Sequence, residues 1–516
     1  MGIVVGLLAG YATLGLRLGI AATERFFFGT TEENLASVAA TLPWYALFFV
    51  PVMTGILIAV LLWLGQRTGL APGARAGGVA DLLEARAIRG GRIELKSGLY
   101  SSLLAILSLG GGASAGREGP AVHLGGTLAS WLSGGVGLGP RGSRTLLACG
   151  AAAAVSASFN APVAGALFAF EVVLGHYALR TIAPVAVASV IGALIVRIHL
   201  GPDPVFGVLE TFSASLWDYP AAALLGIAAA GLAILFDRGT LNSVQTVESH
   251  AQRWKIPLWS LPVPGGILIG ALALIAPEIL GVGYEATSNA LATHYVFGEL
   301  VLLIVLKTIA TQITLAFRFA GGVFSPSMYL GAMLGSAFGL MMMVILGDQT
   351  AGAGFFAVIG MGAVAGAVLG APLSTTLIVF ELTSSYEAAV AVLVAVSLAT
   401  ALTQSALGGS LFQKQLQSRG YDISGGSSRL VLQTIRVRDV MMPLGDWAGA
   451  QIDDGVCVYE DDTLGRTLGV FDAEDLDGAA VRSRQGDQAI VGWITKADAH
   501  AAYAKALADI SEEEHQ

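Results

Sequence analysis

The segment Gly116-Arg117-Glu118-Gly119-Pro120 sets two opposite charges into an apolar surrounding and leads straight into Ala121-Val122-His123-Leu124-Gly125-Gly126, which reads as the start of a helix. An ionised carboxylate in hydrocarbon survives only beside water, a partner or a proton, so Glu118 is a candidate for function. Unpaired N–H groups and aligned peptide dipoles at a helix start attract anions, and a tethered glutamate can take the seat of a free one. Such a residue can act as a gate. A second start, Gly321-Gly322-Val323-Phe324-Ser325-Pro326, has small residues that expose backbone N–H groups and a proline where a missing donor does no harm. Gly77-Gly78, ahead of Val79-Ala80-Asp81-Leu82-Leu83, offers a third. Candidate anion contacts are therefore Gly77, Gly78, Gly116, Arg117, Gly119 and Gly322. A partial charge of about half a unit at each helix end suits a mobile anion, because a full positive charge would hold it too tightly to release.

The elements that position these residues belong to a membrane protein. Hydrophobic residues make up 54% of the chain, charged residues only 13%, and the mean hydropathy is +0.70, so most of the sequence could not remain soluble as one globular core. The 67 glycines in 516 residues suit close helix packing and broken helices in a bilayer. The net charge of −9 is unevenly spread. From Leu430 onward there are 17 acidic and 7 basic residues, so the first 429 positions are nearly neutral and the acidity belongs to a separate soluble tail. No basic patch suggests a nucleic-acid partner. Cys149 and Cys457 offer neither a disulfide framework nor a zinc spacing, and no metal site is expected.

Met1 leads directly into the apolar run Gly2 to Ala22 with no basic n-region, so a cleaved signal peptide is not expected. Further spans are expected near Trp44 to Leu64, Ser97 to Gly112, Ala161 to Leu174, Ile182 to Leu200, Ala221 to Phe236 and Pro262 to Leu280. Others follow near Leu300 to Phe319, Ser325 to Leu346, Phe355 to Leu369, Pro372 to Leu382 and Ala388 to Leu407. Several are too short or too broken to cross alone, and such segments are tolerated only where they are buried in protein or line a wet cavity. Arg86, Arg89, Arg92 and Lys96 mark a cytoplasmic loop.

An internal repeat organises the whole. Gly150-Ala151-Ala152-Ala153 through Asn160-Ala161-Pro162 to Phe170-Glu171 aligns without a gap to Gly360-Met361-Gly362-Ala363 through Gly370-Ala371-Pro372 to Phe380-Glu381, at an offset of 210. Gly119-Pro120 through Leu124-Gly125 lies 206 positions before Ser325-Pro326 through Leu330-Gly331, which sets Glu118 opposite Phe324. Two homologous halves, each with a helix start interrupted by Gly and Pro, are the pattern of a transporter whose binding site lies at the repeat interface.

Together these segments, with Phe380-Glu381-Leu382-Thr383, closely resemble the signature segments of the CLC family of voltage-gated chloride channels and chloride/proton antiporters. The resemblance covers roughly residues 3 to 420. It implies an all-α polytopic membrane protein with two inverted repeats of broken, tilted helices, working as a homodimer with a separate chloride pore in each subunit. By the same resemblance, Glu118 is the gating glutamate and proton acceptor, and the backbone N–H groups of Val323 and Phe324 contact the central anion. Residues 1–425 would form the transport domain, with repeat halves at about 40–200 and 215–420, in the plasma membrane.

Three departures from the family pattern bear on function. Gly77 stands where the family's anion-touching serine is expected, and Phe412 where its pore tyrosine is expected, so two hydroxyl donors are missing. Weaker or less selective anion binding follows, at about 1.5–3 kcal/mol for each lost hydrogen bond to a charged group. Val172 stands where proton-coupled members carry an internal glutamate, which favours channel-like conduction over chloride/proton antiport; fluoride and nitrate remain alternative anions. His176, one helical turn beyond, is a surrogate proton carrier or an interfacial histidine. His123 reads as a packed histidine on the helix after the gate, or as a tuner of Glu118.

The remaining charges carry two readings each. Arg117 either draws anions in or neutralises a buried group. Glu171 and Glu381, matched by the repeat, cap and orient span ends rather than move protons. Lys307 and Arg318 steer anions or snorkel to an interface. Gly112-Ala113-Ser114-Ala115-Gly116 fits the G-x-S-x-G pattern of a serine hydrolase, the competing enzymatic reading, but no histidine base is identifiable for Ser114.

After Gly425-Gly426-Ser427-Ser428 the pattern becomes that of a small α/β unit, residues 430–516. Ile435 to Met441 and Ile490 to Asp498 resemble the start and end of a single CBS motif, which implies a cytoplasmic C-terminus. Thr495 and Asp498 match positions that bind an adenine nucleotide in some CBS domains, against a purely structural tail; no other cofactor is expected.

Overall fold

The computed structural model describes residues 1–202, 206, 212, 214–421, 432, 435–443, 457–484 and 489–515. It divides into two compact units, Met1–Lys414 and Gln415–Gln516. The linker read at residues 425–428 lies outside the described residues.

The first unit is all helical. Its first half contains α1 (Gly2–Phe28), α2 (Leu35–Thr41), α3 (Trp44–Thr68), α4 (Val79–Ile88), α5 (Leu95–Gly110), α6 (Glu118–Gly135), α7 (Pro140–Phe159), α8 (Pro162–Phe168) and α9 (Leu179–Leu200). The second contains α10 (Asp218–Arg253), α11 (Pro262–Ala273), α12 (Tyr284–Leu291), α13 (Phe297–Ala316), α14 (Phe324–Leu346), α15 (Ala353–Leu369), α16 (Pro372–Thr383) and α17 (Tyr386–Leu407), with α18 (Leu411–Ser418) following. Among the described residues, α1, α3, α9, α10, α13, α14 and the stretch Tyr386–Ser418 are long and apolar enough to cross a bilayer. Their helical form is what a bilayer demands, since every backbone N–H and C=O must then find its partner within the segment.

The expected spans and the helices differ in three places. The span proposed from Pro262 to Leu280 ends at Ala273 and resumes only as a short 3-10 turn at Pro277–Ile279, because Pro277 cannot donate into a continuing helix. The span from Ala221 to Phe236 is the apolar half of α10, whose polar half continues to Arg253. Helices α6 and α7 were not among the expected spans, because Gly, Ser and Ala dilute their hydropathy, yet α7 is buried without a break from Leu146 to Phe159.

Glycine explains how such helices become buried. A Cβ on Gly125 would strike the Gly150 carbonyl and one on Gly150 the Gly125 carbonyl, so α6 and α7 touch backbone to backbone. Gly331 and Gly360, the repeat counterparts, clamp α14 to α15 in the same way. Asn160 (φ 57°) and Gly370 (φ 69°) end α7 and α15 in the left-handed conformation, and Pro162 and Pro372 open the next helices. Both halves of the aligned repeat thus fold alike.

The second unit has a sheet in the order β1 (Met442–Pro443), β4 (Ile490–Thr495), β3 (Gly478–Arg482), β2 (Cys457–Tyr459). β2 and β3 are parallel, and β3 and β4 antiparallel. The helix Leu464–Ala473 starts at Thr463, whose hydroxyl accepts the Arg466 N–H, and supplies Leu464, Leu468 and Phe471 to a core with Val437, Val458, Val481 and Ile494. A small α/β unit of this kind is consistent with a CBS-like tail.

Candidate anion site at two helix starts

The starts of α6 and α14 meet. Gly116 N–H donates to the Gly322 carbonyl and Gly322 N–H to the Gly116 carbonyl, both at 2.7 Å, in an isolated antiparallel bridge. The two glycines stand at the repeat offset of 206, so the bridge joins a residue to its own counterpart. A Cβ on Gly119 would come within 3.2 Å of the Gly322 Cα, which explains the third glycine of this junction. The bridge uses the N–H groups of Gly116 and Gly322, so these two residues tie the starts together rather than present donors. The first helical N–H groups of α6 and α14 cannot bond within their own helices. Among the described residues, those of Val323 and Phe324 have no acceptor. Phe324 is buried, its ring 4.9 Å from that of Phe159 and 6.1 Å from that of Phe168.

Glu118 points into this junction. It is 1% exposed; its Oε2 accepts from Ser325 Oγ at 2.6 Å and its Oε1 from Tyr284 Oη at 2.8 Å. Ser325 belongs to the first turn of α14, so the carboxylate lies against the start of the opposite repeat. Two hydroxyl donors offset the cost of removing an acid from water. Arg117 does not form that offset: its guanidinium pairs with Glu32 and lies over the Tyr284 ring at 4.7 Å. Arg17 reaches the same Glu32 oxygen at 3.6 Å.

Three comparisons identify the family and the fold. The family model described as voltage gated chloride channel matches residues 54–404, more than half of the chain. The chain belongs to this family, the CLC proteins. A ClcB-like protein of Ralstonia nicotianae is 31% identical over 387 residues, 74% of this chain and 88% of that one. An H+/Cl− exchange transporter, ClcA, of Salmonella arizonae is 33% identical over 320 residues, 60% of this chain and 66% of that one. Among solved structures, a slow cyanobacterial Cl−/H+ antiporter shares the fold with a TM-score of 0.70 at 23% identity, covering 81% of this chain and 96% of that one. The chain is therefore an integral, multi-pass membrane protein of the CLC fold.

The other candidate residues of this CLC chain fall around the junction or away from it. Gly78 is the N-cap of α4; its N–H donates to Asp81 Oδ2 at 2.9 Å, and Gly77 N–H donates to Ser101 Oγ at 3.0 Å. Both glycine N–H groups are thus engaged within the protein. Phe412 is buried in the first turn of α18. Val172 lies in a π-helical turn, Ala169–Leu174, and His176 falls in the bend beyond it rather than on a continuing helix, its Nδ1 accepting the Ala178 N–H at 3.4 Å. Ser114 is fully buried, and its Oγ has no hydrogen-bond partner among the described residues, so no base activates it as a nucleophile.

Two cations depart from their sequence reading. Lys307 neither steers anions nor snorkels: it is 0% exposed, and its Nζ donates to the carbonyls of Ile279 and Gly281 at 2.9 and 3.0 Å. It shapes the turn that leads to Tyr284. Arg318 pairs with Glu248 at 2.6 Å and donates to the Gly73 carbonyl at 2.7 Å, joining α10 and the α13–α14 connection to the loop before α4. In the second unit, Thr495 Oγ1 donates to Asp498 Oδ2 and accepts the Asp498 N–H at 3.0 Å, so the two residues cap the helix Lys496–His515.

Sequence reasoning missed Tyr284 and Glu32 as partners of the site. Each is distant in sequence from the charged turn, and neither stands in a motif. Buried charges require partners, but Glu32 lies in the polar run Thr30 to Asn34 and Tyr284 precedes Glu285, so nothing in the local sequence singled either out.

Proposed function

We propose that the protein moves chloride across the membrane through a path in each subunit of a homodimer, gated by Glu118. The observation that carries this reading is the seat of the Glu118 carboxylate at the joined starts of α6 and α14, on Ser325 and Tyr284. Those starts offer N–H groups and dipoles to any anion, and a carboxylate is a tethered one. When Glu118 is ionised it occupies the anion's place; when it is protonated or displaced, chloride passes. Flux therefore rises on external acidification. The C-terminal unit lies in the cytoplasm on this reading, with residues 1–425 as the plasma-membrane transport domain.

Conduction is channel-like, because Val172 carries no proton where coupled members have a glutamate. Two observations favour the alternative of chloride/proton antiport: the Salmonella relative and the cyanobacterial neighbour are both named as exchangers. Liposomes holding the purified protein under a chloride gradient separate the two. Chloride flux without proton uptake, and a reversal potential at the chloride equilibrium value, is the expected result; stoichiometric proton movement would establish antiport. Glu118→Gln should abolish the pH response, and an unaltered response would place the gate elsewhere. The same vesicles loaded with fluoride or nitrate rank the anions.

A further inference from the structure

Two arginines share one acid beside the Glu118 carboxylate. Arg117 and Arg17 both reach Glu32 Oε1, Arg17 at 3.6 Å. Arg117 and Glu32 are buried, and Arg17 is half-buried. The Arg117 pair is one-pronged: Glu32 Oε2 and Arg117 Nη2 have no hydrogen-bond partner among the described residues. Two positive charges against one negative leave one positive charge in excess, and a buried excess charge calls for a partner.

The neighbouring charged groups do not supply that partner. Glu24 on α1 is fully buried, and both its oxygens lack a hydrogen-bond partner among the described residues, a setting that does not sustain an ionised carboxylate. Glu285 accepts the N–H groups of Ala36 and Ser37 at the start of α2. Glu33 is exposed, where water and salt screen it. Lys307 is turned onto the carbonyls of Ile279 and Gly281. What remains is Glu118, whose direct partners, Ser325 and Tyr284, are neutral hydroxyls. The Arg117 guanidinium lies on the face of that same Tyr284 ring. The phenol therefore stands between the carboxylate and the arginines, and attraction acts across the ring.

On the reading of the chain as a chloride transporter gated by Glu118, we infer that Glu32 is a positioning residue for the anion: it trims the Arg17–Arg117 pair to one net positive charge behind Tyr284, which one anion balances, the Glu118 carboxylate or chloride in its place. Without Glu32, two full charges would hold the anion too tightly to release. Without Arg17, no excess charge would draw chloride in once Glu118 had left.

Chloride titration calorimetry on the purified full-length protein tests this, with the chloride dependence of flux from liposomes as the second readout. Glu32→Gln should tighten chloride binding about tenfold, lowering both the KM for chloride and the maximal flux. Arg17→Gln should weaken binding severalfold and raise KM. Arg17→Gln/Glu32→Gln restores one net charge and should return the affinity towards the wild-type value, which a merely structural role of either residue would not do. Affinity shifts of the same sign in both single variants, or a double variant weaker than either, overturn the inference. Should Glu32→Gln yield no folded protein, the half-buried Arg17 decides alone: unchanged affinity in Arg17→Gln overturns it. The transport reading fails differently: wild-type protein would then bind no chloride, and Glu118→Gln would leave flux unchanged.

Discussion

Glu171 and Glu381 cap each other's repeat. Glu171 accepts the N–H groups of Leu373 and Ser374 at 3.0 and 2.8 Å, and Glu381 accepts those of Val163 and Ala164 at 3.0 and 2.8 Å. Each carboxylate, from one half, satisfies the orphan donors at the start of α16 or α8 in the other. The exchange repeats what Gly116 and Gly322 do where α6 and α14 start: residues matched by the internal repeat bond reciprocally, so the two halves are locked about a shared pseudo-two-fold axis.

Capping predicts a loss from each acid, the larger at Glu171, which also accepts from Ser374 Oγ. Glu171→Leu and Glu381→Leu should each lower the thermal transition of the detergent-solubilised protein, with about 1.5–3 kcal/mol at stake for each hydrogen bond to a charged acceptor. The pH profile of chloride flux should keep its shape in both. A changed profile would assign these acids to proton movement instead.

Tyr284→Phe should open the gate. Tyr284 Oη donates to Glu118 Oε1, so on the proposed gating role its removal makes the carboxylate easier to displace, and flux at neutral pH should rise severalfold. Ser325→Ala should act in the same direction. Flux measured from liposomes between pH 5 and pH 8 checks both; lower flux at every pH would contradict the assignment.

Lys307→Met should destabilise more than it disturbs anion attraction. It leaves the buried carbonyls of Ile279 and Gly281 without their donor, at a cost of about 1–3 kcal/mol for each. A lower thermal transition with unchanged dependence of flux on ionic strength is the expected outcome. Loss of the salt dependence with normal stability would restore the steering role.

Gly125→Val and Gly331→Val should fail alike. Each side chain would push into the backbone of a partner helix at Gly150 or Gly360, and backbone cannot yield as a flexible side chain can. Size-exclusion profiles should show aggregated protein for both, whereas Gly231→Val, where a Cβ meets nothing within 4 Å, should run as the wild type.

Much of this protein was legible because bilayer chemistry writes itself into local sequence. Long apolar runs had to be helices, the Gly- and Pro-interrupted starts had to be shielded from lipid, and the ungapped repeat had to fold twice. The spans at Trp44, Leu300 and Ala388 therefore appear as α3, α13 and α17. Helices α6 and α7 were less visible, because glycine that permits tight packing also lowers hydropathy.

Sequence alone determined the membrane class, the repeat, the family and the charged helix start that carries Glu118, since each depends on neighbours within one or two helical turns or on a pattern matched to itself. Tertiary structure decided which groups hold that acid: Tyr284 stands 166 positions from Glu118, and Ser325 stands 207. It also turned Lys307 inward, paired Arg117 with Glu32, and set the His123 ring into the space left by Gly77. The physical reason is common to all of them. A buried charge must be satisfied by whatever polar group the packing brings within about 3 Å, and a linear sequence records the need for such a partner without recording its address.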